Sequence, residues 1–325
     1  MTAVLENEQA ADVLNDGAYR ELIARLSRQS VTKHFDAYAD VDWDAPEMQI
    51  DPEDPRWELT ADDTFGRTEW YRSQPQGIRA RIGLQRIVEN MKTGLEFESV
   101  LKRGLLEYAT TLPNRAPEFR YAYHEVIEEA QHSLMFQEFV NRSGFDPPSM
   151  PRDIKVATRH VVKLGRRFPA LFFLFVLGGE DPIDYVQRQE LRSETEIHPL
   201  LERIMRIHVT EEARHLSFAR HYLKHNARRL GWVRRRQLAV AVPFILGTMA
   251  QMMLAPSRRL IRTYGIPKSV VNEAYKHNPE ARQYVRDSLR KVRDLCVELG
   301  IVTPVSKQLW KAFGIWDESA AASGQ

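Results

Sequence analysis

Two short stretches of the chain set the same residue types in the same order. In "VIEEAQHSLMF" (126–136) Glu129 stands three residues before His132. In "RIHVTEEARHLSFA" (206–219) Glu212 stands three before His215, and His208 four before Glu212. Residues three and four apart on a helix are neighbours, so a carboxylate and an imidazole at this spacing can hold one metal ion. The helix of the second stretch also carries Leu201, Ile204, Met205 and Ala219 on the face of Glu212, so that face turns inward. Glu211 lies off it and is expected in solvent.

A pair of ions in a helical bundle needs one further carboxylate from each of two other helices. In a hairpin, two ligands face each other only when they lie about equally far from the turn, at ~1.5 Å per residue. Glu129 is 12 residues beyond a turn near 117, and the same distance back from 112 lands near residue 100. Glu98 in "TGLEFESVLKRGLL" fits, on a stripe with Met91, Leu95, Leu101 and Leu105. Glu96 is equally near the turn, but its neighbours are Lys92, Ser99 and Arg103, an exposed face, so Glu98 is the expected ligand. For Glu212, counting 12 residues back from 192 gives Glu180 in "FLFVLGGEDPIDY", behind Phe173, Val176 and Leu177. The separations 98→129 and 180→212 are 31 and 32 residues, as two similar hairpins require. An unpaired carboxylate on such an apolar face is costly unless it binds a cation or hydrogen-bond donors. Carboxylates with imidazoles and no thiolate suit a pair of iron or manganese ions better than a structural zinc. Asp184, four residues after Glu180, is either a residue that orients a ligand histidine or a helix-surface aspartate. His208 is either a seventh ligand or a base behind the ligands.

The elements that must position these residues are helices. From about 76 onward helical periodicity dominates and strand-like alternation is scarce. Long helices are expected over 77–110, 118–142, 170–191, 199–228, 233–262 and 280–299, after a first amphipathic helix at 19–31. Residues 1–16 are expected to be disordered, and 36–66, rich in Asp and Pro with interspersed Trp, to form an irregular packed arm. No linker divides the chain and no sequence repeat is obvious. The reading is a single all-helical domain over 1–325, with 77–228 as a metal-binding four-helix core and 233–299 as additional helices. A net charge of +2 gives no global reason to expect nucleic acid. "LAVAVPFILGTMAQMMLA" (238–255) contains Pro243, Gly247 and Gln251 and is expected to be a buried core helix, not a membrane span. One cysteine, Cys296, and an acidic N-terminus without a signal-peptide pattern fit a cytoplasmic protein.

With these residues in place, the chain resembles the di-iron N-oxygenase family typified by p-aminobenzoate N-oxygenase. In that family the first core helix gives a Glu, the second Glu-x-x-His, the third a Glu and the fourth His-x-x-x-Glu-x-x-His. The matching positions are Glu98, then Glu129 and His132, then Glu180, then His208, Glu212 and His215. The resemblance covers about 75–230 and implies an all-α fold with a ferritin-like four-helix bundle core and extra flanking helices. It implies two Fe ions as cofactor (Mn is also compatible), O2 as co-substrate and an external electron donor. It implies oxygen transfer to a small organic substrate, such as an amine nitrogen, and makes His208 a ligand. An amide is expected four residues after the third-helix glutamate. This chain has Asp184 there, so the likeness does not carry over an aminobenzoate substrate. The apolar residues Phe172, Phe173, Phe175 and 238–254 are either pocket wall or ordinary core. A small-molecule substrate and an electron-donor protein are the expected partners, and a homodimer is compatible with the sequence. Two other activities fit the same ligands: a di-iron hydroxylase or desaturase acting on carbon, and a ferritin-like iron-binding protein.

Overall fold

Proline opens five of the helices. Pro117, Pro169, Pro199, Pro279 and Pro304 each lie in a first turn, where the missing N–H had no intrahelical partner to lose. The computed structural model describes residues 16–316, Pro151 and Ala255 excepted, so the disorder expected of 1–16 lies outside the described residues except at Asp16, which begins a helix. The helices are α1 (Asp16–Thr32), α2 (Glu69–Arg72), α3 (Gln76–Ala109), α4 (Pro117–Arg142), α5 (Arg152–Arg167), α6 (Pro169–Glu190) and α7 (Pro199–Asn226). They continue with α8 (Trp232–Leu254), α9 (Arg258–Thr263), α10 (Lys268–Val271), α11 (Pro279–Ser288), α12 (Arg290–Glu298) and α13 (Pro304–Ala312). Among the described residues there is no strand, and the fold is an all-α bundle.

α3, α4, α6 and α7 fall where periodicity puts them, within two residues at each end. Two long helices expected from the sequence are instead broken. The one expected over 233–262 is interrupted at Pro256, after which Ser257 accepts from Leu260 N and starts α9. The one expected over 280–299 turns at Leu289 into α11 and α12. α5 was not expected, because prolines bound it and its apolar residues are few and β-branched. The segment 33–68 carries two 3-10 turns, Pro46–Met48 and Pro55–Trp57, and buries Trp43 and Trp57. α8 departs from a fully buried helix: Leu238, Val242 and Leu246 are buried, but Val240 is 59% and Phe244 61% exposed. No helix among the described residues is long and apolar enough to cross a membrane.

α3 and α4 form one hairpin and α6 and α7 another, with α5 packed on α3 and α6 between them. The approach of α5 depends on glycine. A Cβ at Gly165 would meet the Gly104 carbonyl oxygen at 2.0 Å, and one at Gly104 would meet the Phe172 ring at 2.1 Å. Two apolar clusters occupy the bundle. One gathers Leu101, Leu105, Tyr121, Phe172, Phe173, Leu216 and Phe218. The other gathers Val88, Met91, Met135, Phe136, Ile204 and Met205. Along α3 the boundary between them falls between Met91 and Phe97, along α4 between Ala122 and Met135, and along α7 between Ile207 and Leu216. The polar residues of the sequence motifs lie at that boundary, with apolar layers on both sides.

Candidate metal centre

The boundary holds seven residues: Glu98 from α3, Glu129 and His132 from α4, Glu180 from α6, and His208, Glu212 and His215 from α7. All are buried, none more than 2% exposed. Three overlapping groups bring their donor atoms within 4.8 Å of one another: Glu98, His132 and His208; Glu129, Glu212 and His215; and Glu180, His208 and Glu212. His132 Nδ1 lies 3.5 Å from Glu129 Oε2, 3.7 Å from Glu212 Oε1 and 3.9 Å from Glu98 Oε1. His215 Nδ1 lies 2.9 Å from Glu129 Oε1 and 3.1 Å from Glu212 Oε1. His208 Nε2 lies 3.8 Å from Glu212 Oε1 and 4.0 Å from Glu98 Oε1.

Each imidazole is held from behind. His132 Nε2 is 2.9 Å from Glu211 Oε2, His215 Nε2 is 2.7 Å from Glu128 Oε2, and His208 Nδ1 donates to Gln187 Oε1 at 2.9 Å. With those nitrogens engaged, Nδ1 of His132 and His215 and Nε2 of His208 point among the carboxylates. This is how metal-binding histidines are oriented, through a hydrogen bond at the far nitrogen. Glu98 Oε1, Glu129 Oε2, His132 Nδ1, Glu180 Oε2 and Glu212 Oε2 are buried with no hydrogen-bond partner, a costly state that a bound cation relieves. Four carboxylates also balance the charge of two divalent cations. The residues therefore fit a pair of metal ions.

Protonation without metal follows the same logic. Burial and the Glu129 charge push the Glu98 carboxyl up to about 8. Burial, with Glu212 and Glu129 close by, raises Glu180 far above the usual carboxylate range, and burial likewise raises Glu212. Glu129 goes the other way: burial opposes its charge, but the imidazoles of His132 and His215 close beside it outweigh burial and hold it well below the usual range. Burial disfavours an imidazolium at His132, yet the adjacent Glu129 carboxylate and the hydrogen bond to Glu211 raise it to about 10. His208, buried beside His132, is pushed down and stays neutral.

Several residues sit elsewhere than the sequence suggested. Glu211 is not in solvent but fully buried, because α7 is covered on that side by the chain near Phe35, whose N–H donates to Glu211 Oε1 at 3.2 Å. Asp184 is neither at the surface nor on a histidine. It is buried against Arg188 (2.7 Å) and Lys291 (3.6 Å). Gln187 takes that role: seven residues on from Glu180 it lies about 20° from it around the helix, whereas Asp184 lies about 40° to the other side and meets Lys291 of α12. Glu96 accepts from Met150 N at 2.6 Å, near Lys155, away from the seven. Phe172 and Phe173 are core, and Phe175 stacks on Phe97. An open apolar groove of about 670 Å³, lined by Leu164, Phe168, Trp232 and Val240, includes none of the seven. A readable signal for the supporting carboxylates did exist. Val126–His132 and Val209–His215 read VIEEAQH and VTEEARH, a short internal repeat with doubled glutamates. In each doublet the second glutamate faces the cluster, and the first reaches the histidine of the other helix.

A helical bundle that gathers carboxylates and imidazoles from four helices is of the ferritin-like class. The chain belongs to the p-aminobenzoate N-oxygenase AurF family, whose sequence pattern matches residues 16–300. Uncharacterized proteins of Mycobacterium tuberculosis and Mycobacterium bovis are 39% identical over 300 residues, 92% of this chain and 88% of theirs. No solved structure matches the chain. Membership implies a di-iron oxygenase enzyme.

Proposed function

We propose that the chain is a non-haem di-iron oxygenase that transfers oxygen from O2 to a small organic substrate, with an amine nitrogen as the site of oxygenation. The observation that carries this reading is the convergence of three imidazole nitrogens, with His132 Nδ1 unpartnered, on orphaned carboxylate oxygens in a region with apolar layers on both sides. Glu98, His132 and His208 would hold one ion and Glu129, Glu212 and His215 the other, with Glu180 beside His208 and Glu212. When bound, the irons supply O2 activation, with electrons from an external donor. The chain's own part is to orient and exclude. Glu211, Glu128 and Gln187 fix the three rings. Ser133 Oγ donates to Glu98 Oε2 at 2.7 Å and sets that carboxylate, and Lys102 donates to both Ser133 Oγ and the Glu129 carbonyl. Phe97 packs its ring where a Cβ at Gly179, the residue before Glu180, would stand.

The test is anaerobic Fe(II) loading with iron counted per chain, followed by O2 uptake against a panel of arylamines and acyl compounds with product masses. Two irons per chain and amine-dependent uptake with products heavier by oxygen are expected. Uptake with acyl compounds alone would move the reading to carbon oxidation. Many irons per chain without substrate-dependent uptake would replace it with iron storage.

A further inference from the structure

The two EEAxH segments break their likeness at one position: Gln131 on α4, Arg214 on α7. Gln131 faces outward to the N-terminal arm, accepting from Ala37 N at 2.9 Å. Arg214 is buried, 6% exposed, and its Nη2 lies 2.8 Å from Glu128 Oε1 and 3.4 Å from Glu211 Oε1. Those two carboxylates use their other oxygens to hold His215 Nε2 and His132 Nε2. One guanidinium therefore stands behind both Glu-x-x-His pairs, and the two rings it reaches fall in different donor groups.

We infer that Arg214 is a positioning residue that yokes the two metal positions, fixing both histidine-orienting carboxylates at once. Both contacts come from the one nitrogen, Nη2, whose place is set by the rigid plane of the guanidinium, so the two carboxylates are held in relation to each other through it. It also offsets the repulsion between Glu128 and Glu211, two carboxylates that the cross-pairing of helices brings side by side in a dry region. Without it each is free to turn away from its imidazole, and both rings lose their orientation together. Glu128 and Glu211 taken singly differ in this respect: each serves one ring, and each serves the ring on the opposite helix.

The inference rests on the two-metal reading, and the experiment separates the two. Stepwise dissociation constants for Mn(II) are measured on the full chain for the wild type, Glu128→Gln, Glu211→Gln, Arg214→Met and Arg214→Lys. Each glutamine variant is expected to weaken one binding step and Arg214→Met both, by about ten- to a hundred-fold, as for other residues supporting metal ligands. Arg214→Lys, which keeps the charge but not the rigid planar group, should weaken both steps by less. It carries the test if Arg214→Met does not fold. A residue that only stabilised the fold would lower the melting temperature and leave both constants unchanged. Unchanged constants, or weakening of one step alone, in whichever arginine variant folds would overturn the yoke. Wild-type protein that takes up no Mn(II) would overturn the two-metal reading itself.

Discussion

Metal loading should be proton-linked, and Glu98 gives the size of the effect. Its carboxyl, buried and next to the Glu129 charge, is held at about 8 without metal, so at neutral pH it keeps a proton that a cation must displace. For a single such group the apparent dissociation constant scales as one plus ten raised to the gap between pKa and pH. The Glu98 proton alone then weakens binding about a hundred-fold at pH 6 and about two-fold at pH 8, a change of about fifty-fold. His132, raised to about 10 after its partners outweigh burial, adds to the slope in the same direction across this range. The sign for folding of the metal-free chain follows. A folded-state pKa raised above the unfolded value gives stability that is complete below the unfolded value and lost as pH climbs. The metal-free protein should therefore lose stability between about pH 4.5 and 8 through Glu98, and the loaded protein less so. The assay is anaerobic Mn(II) titration at pH 6, 7 and 8 in two buffers of different ionisation enthalpy, which counts protons released. Glu98→Gln, which cannot release that proton, should show a shallower slope by about one proton. Affinity that is flat or falling with pH in the wild type would refute the argument.

Three further outcomes are expected. Glu98→Ala should lose at least one of two bound metal ions while Glu96→Ala, which removes only the carboxylate that accepts from Met150 N, keeps both; metal analysis of the dialysed variants decides, and the opposite pattern would make Glu96 the ligand. Gln187→Leu removes the acceptor behind His208 and should weaken metal binding about ten- to a hundred-fold; full affinity would show that Gln187 does not orient the ring. Gly165→Ala puts a methyl 2.0 Å from the Gly104 carbonyl oxygen and should destabilise the fold by about 1–3 kcal/mol in chemical denaturation, whereas a neutral result would mean α5 is not seated on α3 as described.

The sequence by itself determined the helices and the candidates. Apolar residues at helical spacing and prolines at helix starts fix α3, α4, α6 and α7 locally, and equal distances from two turns, with the apolar stripe that favours Glu98 over Glu96, point to Glu98 and Glu180. Local rules failed where a long helix breaks, as at Leu289, and where a helix is seated by a close backbone approach, as α5 is on α3 at Gly165. They failed again at the supporting layer. Glu211 sits off the inward face of its own helix and reads as solvated, and the packing of α4 and the N-terminal arm against α7 buries it. Asp184 and Gln187 are both polar residues near Glu180, and which one meets His208 depends on how α6 is turned against α7. Burial of a polar side chain is a property of what packs over it, and periodicity within one helix describes only that helix. The doubled glutamates could be read in the chain. That each serves the other helix's histidine, with Arg214 between them, exists only once the two hairpins close.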